Sequence, residues 1–234
     1  MLRTRVALIV LLFAAAGGVY GKYDKDEEGV RKNPKDIVDY FLILPGEYLD
    51  PYFADMGFQA RLDFLENNDS LELTVDMKNA YISIKGAYDE SYIEQTITYF
   101  VRADKTKVIA VSKTEPNAYW EFIRVCRFYE LKNGNFTDIT PQIVPKITLD
   151  LFAADAYKKL AASGIYTQFI VEIELPQFGT IVKVYPKGIP AYLFESEDEQ
   201  YTYEDIMATI PYSYIELAWN KQKGKFEFGK KFKK

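Results

Sequence analysis

Residues 122–139 read FIRVCRFYELKNGNFTDI, and this stretch predicts a β-hairpin. Two runs rich in β-branched and aromatic residues flank Asn133-Gly134. That pair most readily adopts the two positive φ values of a type I′ turn, which joins two strands in a tight hairpin. Working outward from this hairpin, we expect a chain dominated by antiparallel strands.

A weaker copy of the pattern lies at residues 215–228, IELAWNKQKGKFEF. When Gly134 is placed over Gly224, three further positions match: Phe136 over Phe226, Tyr129 over Trp219 and Val125 over Ile215. This internal match suggests a tandem duplication of one structural unit. The alternative is a single α+β domain whose amphipathic strands resemble one another.

The order of elements supports two related units, at 34–140 and 147–229. In the first, Asn33-Pro34 predicts the start of a helix that ends near Leu44, and alternating apolar residues then predict strands. The second repeats helix, strands and hairpin, with Thr148 as the cap of a helix over 149–162. Two prolines in 140–147 predict an irregular joint. The predicted fold class is α+β, each unit being a helix packed on an antiparallel β-sheet, with one continuous domain as the alternative.

Three segments lie outside these units. One of them predicts export of the protein, and the other two are expected to be exposed to solvent. Residues 1–21 combine a basic start, an apolar run at 6–16 and small residues, which is typical of a signal peptide; an uncleaved anchor is the alternative. Residues 22–33 predict a flexible leader, and 230–234 a basic tail. The leader carries a partial calcium-loop pattern that fails where Lys35 replaces the required Glu. We expect an exported, periplasmic or extracellular protein without a transmembrane span in its mature chain.

The amino-acid composition argues against several classes of function. Removal of 1–21 lowers the Lys and Arg count from 29 to 27 against 34 acids, so the mature net charge of −7 argues against a nucleic-acid partner. The chain has no His and one Cys, and it lacks nucleotide and nucleophile motifs. Cys126 lies in a predicted strand, where a free Cys is typically a small buried hydrophobe. We therefore predict no cofactor, no metal and no enzyme activity.

Carboxylates and exposed aromatic residues remain as candidates. Asp36 with Asp39, or the acidic run 197–199, could serve a carboxylate-only glycoside hydrolase, although helix starts and solvated loops also explain both. The candidate binding residues lie at predicted loops or element ends and are Tyr119, Trp120, Tyr192, Tyr201 and Tyr203. Such rings favour protein contacts or stacking on sugars, and covering the ends of the core is the alternative role.

From these features we expect a secreted or periplasmic non-enzymatic binding protein that acts through its surface, such as an inhibitor or an envelope accessory factor. Its partner would be a protein. The alternative is a glycan-binding module for cell-envelope glycans, and a carboxylate-only hydrolase is the weakest hypothesis.

Overall fold

A computed structural model describes residues 26–88, 91–116, 122–163, 170–187, 194 and 196–234. The predicted signal peptide lies outside these residues. Within the described ranges, no helix is both long and apolar enough to cross a membrane.

The first part of the chain places short helices before a six-stranded antiparallel sheet, sheet 1. The helices are α1 (Glu27–Lys32), α2 (Ile37–Ile43), α3 (Pro51–Ala54) and α4 (Phe58–Asn67), with a 3₁₀ turn at Gly46–Tyr48. The strands are β1 (Glu72–Asp76), β2 (Tyr81–Tyr88), β3 (Ser91–Val101), β4 (Lys107–Pro116), β5 (Phe122–Lys132) and β6 (Asn135–Asp138). Each strand pairs with its neighbour along the chain, so the sheet is a meander.

The second part combines further helices with a four-stranded antiparallel meander, sheet 2. The helices are α5 (Thr140–Ile143), α6 (Leu149–Phe152), α7 (Ala154–Ser163) and α8 (Glu197–Ala208). The strands are β7 (Val171–Glu174), β8 (Ile181–Pro186), β9 (Tyr212–Asn220) and β10 (Lys225–Lys233). Helices with two antiparallel sheets confirm the α+β class.

The hairpin at 122–139 forms as its sequence predicts. Lys132 pairs with Asn135, and the two turn residues Asn133 and Gly134 have φ values of 51° and 79°. The second hairpin differs in register: Phe226 faces Trp219, whereas Phe136 faces Leu131. A longer loop at 221–224 accounts for this shift, so the sequence match does not extend to the strand pairing. The duplication stays a prediction.

The central strands of sheet 1, β3–β5, are buried on both faces. On one face, Ile109 and Val111 pack in a core with Phe41 and other residues of the helices α2–α4. On the opposite face, Val108, Ala110 and Phe128 pack in a second core formed with sheet 2 and α5–α8. Because successive strand residues alternate between faces, the continuous apolar run of β4 is the sequence signature of this double burial.

Several boundaries differ from the sequence-based expectations. The helix predicted to start at Pro34 begins at Ile37, because Asp36 and Asp39 form a capping box. Part of the predicted leader is α1, whose Val30 is buried. The joint predicted at 140–147 contains α5, since a proline is compatible with the first turn of a helix.

The later boundaries also differ. The helix predicted over 149–162 is interrupted at Ala153, which separates α6 from α7. Strand β10 extends through Lys233, so most of the predicted basic tail is part of the strand. Its lysines lie on a sheet edge, where charged side chains oppose pairing with another chain.

Arg61 of α4 is buried within the helical layer and links its segments by hydrogen bonds. Its side chain is only 4% exposed. Its guanidinium donates to the backbone oxygens of Phe41 (3.1 Å), Leu44 (2.5 Å) and Phe53 (3.4 Å). Burial lowers the pKa of Arg61 to about 10, which still leaves it charged at neutral pH. Arg61 therefore satisfies carbonyl groups that the end of α2 leaves without helical partners.

We expect Arg61→Met to lower the free energy of unfolding by about 3 kcal/mol, because buried carbonyl oxygens would lose their donors. Urea denaturation would measure the loss. Arg31→Met is the matched control: Arg31 forms an exposed pair with Glu27, so its loss should cost only about 0.5 kcal/mol. Equal effects of the two substitutions would contradict the assigned role of Arg61.

Candidate functional site

Two of the five predicted binding residues lie in the described part of the chain, both on α8. Tyr119, Trp120 and Tyr192 lie outside the described residues. Tyr201 is 60% exposed, whereas Tyr203 is only 4% exposed and its ring centre lies 5.1 Å from that of Phe194. Tyr201 thus lies on the surface, and Tyr203 belongs to the core.

Helix α8 begins at Glu197, and this start explains the different positions of the two tyrosines. The acidic run 197–199 forms its first turn, with the Ser196 side chain accepting from the Glu199 amide (3.3 Å). Acidic residues in a first turn complement the helix dipole. The pattern Ser-x-x-Glu was the available signal for this start. In the resulting register Tyr203 and Ile206 point into the core.

An open groove of about 810 Å³ lies beside α8; we call it the α8 groove. Its walls come from α8, from the strands of sheet 2 and from residues that follow them. The lining residues are Glu172, Glu174, Tyr185, Pro186, Lys187, Tyr203, Glu204, Met207, Ala208, Ile210, Ser213 and Lys234. Tyr201 lies three residues before Glu204, so the exposed ring is one helical turn from the groove.

Glu174 lies in the groove within a hydrogen-bonded trio. The Tyr185 hydroxyl donates to one carboxylate oxygen (2.7 Å), and Lys183 contacts the other (2.9 Å). Burial opposes ionisation of Glu174, but Tyr185 and Lys183 outweigh it and lower the pKa of this carboxyl. The hydrogen bond and charge of Glu174 raise the pKa of Lys183, and burial together with Glu174 raises that of Tyr185. At neutral pH, Glu174 is therefore ionised and both partners keep their protons.

Glu172 lies two residues before Glu174, on the same face of β7, and joins the two sheets. Arg124 of β5 contacts Glu172 (2.8 Å) and also forms an ion pair with Glu94 of β3. Lys187 contacts Glu172 (2.9 Å), and Lys85 contacts Glu94 (3.2 Å). These five alternating charges form one ion chain from sheet 1 to sheet 2.

The ion chain and the groove carboxylates are not evident from the sequence patterns. The alternation of 169–175 places Glu172 and Glu174 on the polar face of a strand, but nothing in the sequence indicates that Arg124 reaches them from another sheet. The available sequence signal for the ion chain was the presence of charged residues in otherwise apolar strands.

The carboxylates proposed from the sequence have structural roles. Asp36 accepts from the Asp39 amide (3.0 Å), and Asp39 accepts from the Lys35 amide (2.7 Å). Both therefore serve the start of α2, as the acidic run serves the start of α8. In the described ranges, no three His, Cys, Asp or Glu side chains are grouped as metal ligands.

Cys126 is partly buried in β5 and packs against the second core. Burial raises the pKa of its thiol. A raised pKa disfavours the reactive thiolate.

We expect Arg124→Gln to lower the free energy of unfolding at pH 7 by about 2 kcal/mol, because Glu94 and Glu172 would lose a shared cation in a largely buried setting. Arg127→Gln is the matched control on the same strand: Arg127 is half-exposed and pairs with Asp138 at the surface (3.2 Å). Urea denaturation of both variants tests this role, and equal losses would contradict it.

We also expect stability to fall in acid. The pKa values of Glu94 and Glu174 lie below their ordinary 4.5, since the cations and hydrogen bonds around them outweigh burial. Their contribution is complete above pH 4.5 and disappears as the pH falls through their lowered values. Urea denaturation from pH 7 to pH 3 should show this loss. The loss should be smaller in Glu174→Gln but unchanged in the exposed control Glu72→Gln, and equal behaviour of these variants would contradict the assignment.

This chain resembles known proteins in its three-dimensional structure. The chain matches no protein-family model and no curated protein. It is similar in structure to a domain of an uncharacterized protein from Porphyromonas gingivalis W83, with a TM-score of 0.52 and 14% sequence identity. The match covers 82% of this chain and 97% of that domain. This likeness concerns the fold alone.

Proposed function

We propose that the protein is an exported, non-enzymatic binding protein that recognises a protein partner through α8 and the α8 groove. The observation that carries this proposal is Tyr201, whose large ring is 60% exposed one helical turn from an open groove. Tyrosine gives a large contact area at low entropic cost and is frequent among residues that dominate binding energy. Export rests on the signal-peptide pattern at 1–21.

The charge of α8 suggests the chemistry of the partner. The helix contains five acidic residues and no Lys or Arg: Glu197, Asp198, Glu199, Glu204 and Asp205. Glu204 and Asp205 stand near its C-terminal end, where the helix dipole disfavours acids. A basic segment on the partner would compensate this charge, and the groove beside the helix offers room for its side chains.

The groove carboxylates support binding better than catalysis. A glycoside hydrolase needs one carboxylic acid whose pKa is raised, so that it can donate a proton. The pKa of Glu174 is instead lowered. Glu172 is engaged by Arg124 and Lys187. These contacts suit a fixed polar surface and leave the hydrolase as the weakest hypothesis.

A glycan is the second candidate ligand. Tyr185 lies beside Glu172 and Glu174 in the groove, and carboxylates with aromatic rings are suited to sugar hydroxyl groups and ring faces. However, Tyr214, the ring neighbouring Tyr185, is stacked on Phe232 with 4.5 Å between ring centres. Tyr214 does not line the groove, but its ring packs against that of Tyr185 with 5.5 Å between ring centres, which leaves less of the Tyr185 ring for stacking on a sugar.

We expect Tyr201→Ala to weaken binding to the physiological partner about tenfold. Residues 22–234 would be used to capture partners from the exported fraction of the source cells, and the affinity of each would be measured by surface plasmon resonance. Tyr92→Ala is the matched control, since Tyr92 is 48% exposed on sheet 1 and should leave affinity unchanged.

Rising salt should also weaken binding, because the contact is between opposite charges. A partner that binds Tyr201→Ala with the same affinity as the unmodified protein would contradict the proposed surface. A glycan-array signal that depends on Glu174 and Tyr185 but not on Tyr201 would favour the second candidate.

A further inference from the structure

A separate cavity of about 520 Å³ lies at the seam between the two sheets; we call it the seam cavity. It involves the β1–β2 turn, the end of β3, the segment before β8 and the end of β9. The lining residues are Lys78, Asn79, Ala80, Tyr99, Phe100, Val101, Gly179, Thr180, Trp219 and Lys221. None of them lines the α8 groove.

Contacts from both sheets hold this cavity in shape. The Trp219 indole donates to the Val101 oxygen (3.0 Å), and the Ala103 amide donates to the Lys221 oxygen (3.0 Å). On the other side, the Gln177 side chain donates to the Asp76 carboxylate (3.2 Å). Cavities that are largely preformed and lie between structural units are the usual position of small-molecule sites.

The lining combines an apolar floor with a cationic rim. Phe100 and Trp219 are buried with their ring centres 5.5 Å apart. Lys78 and Lys221 are exposed, and neither forms an ion pair with any residue that the structure describes. The lining includes no carboxylate.

The nearby acids are occupied by other groups. Asp76 accepts from the Asn79 side chain (2.7 Å) and from Gln177. Asp104, in the β3–β4 turn, accepts from the Thr106 hydroxyl (2.7 Å). Glu130 forms ion pairs with Arg102 and Lys132. The two rim lysines are therefore the charges that face the cavity itself.

We propose that the seam cavity binds a small organic anion with a flat apolar body. The anionic group would lie between Lys78 and Lys221, and the apolar body would lie against Trp219 and Phe100. Charge and shape both select this class: acids outnumber basic residues 34 to 29 in the chain, yet the cavity presents only cations, and its floor is aromatic. A neutral ligand would gain the apolar contact alone, and an inorganic anion would gain the charge alone.

Anilinonaphthalene sulfonate, an aromatic sulfonate, is a suitable probe, with N-phenylnaphthylamine as its neutral counterpart. Residues 22–234 carrying Trp120→Phe leave Trp219 as the remaining one of two tryptophans, so energy transfer reports a probe bound in the neighbourhood of Trp219, and the variants below place it in the seam cavity. We expect saturable binding of the sulfonate with energy transfer, and affinity for the neutral probe about tenfold weaker.

Two variants and one control test the position of the site. Lys78→Gln with Lys221→Gln should weaken sulfonate binding about tenfold while leaving the neutral probe unaffected. Thr180→Phe should weaken binding of both probes, because the new ring takes up part of the cavity, and it leaves Trp219 as the single tryptophan. Lys225→Gln with Lys230→Gln makes the same charge change at exposed positions outside the lining and should leave affinity unchanged.

Circular dichroism melting would verify that each variant is folded. Equal affinity for both probes, equal losses in the two lysine pairs, or no saturable energy transfer from Trp219 would overturn the proposal. None of these outcomes depends on the protein partner of α8, so the proposals fail or stand separately.

Discussion

Burial of the central strands of sheet 1 on both faces is the constraint on which the rest of the structure depends. Strand β4 contributes alternate residues to two cores, with Ile109 facing the helices and Ala110 facing sheet 2. The helical layer and the second sheet therefore share one central element, and neither can shift without disturbing a buried face of that sheet. Close packing transmits such disturbances, which makes the two sequence units mechanically interdependent.

The packing around this shared sheet also explains where buried polar side chains are found. Arg61 is buried because it serves the carbonyl oxygens at the end of α2, and the ion chain through Arg124 crosses the junction between the sheets. A buried charge is tolerated when it is paired and hydrogen-bonded, and its geometry is then specific. In this protein such groups fix the way in which the layers pack together. They also pair the groove carboxylates with neighbouring cations.

The two candidate binding regions differ in their size and in the charges of the residues that line them. The α8 groove is open, bears charges of both signs and borders an exposed tyrosine on an acidic helix. The seam cavity is smaller, and its lining combines an aromatic floor with lysines. A surface of mixed charge beside an acidic helix suits a macromolecular partner, whereas a smaller cavity lined by one charge sign suits a small ligand.

The sequence by itself determined the fold class, most strands and the hairpin at 122–139, because alternation and turn chemistry are local properties. It also indicated Tyr201 as a surface residue, whereas for Tyr203 it left open a role in covering the core, and the burial of Tyr203 follows from the register in which α8 begins. Only the tertiary structure decided the pairing of Arg124 with Glu172, the burial of Arg61 and the position of both candidate binding regions. These features join residues that are distant in the chain, and their contacts depend on how layers pack, which local patterns do not encode.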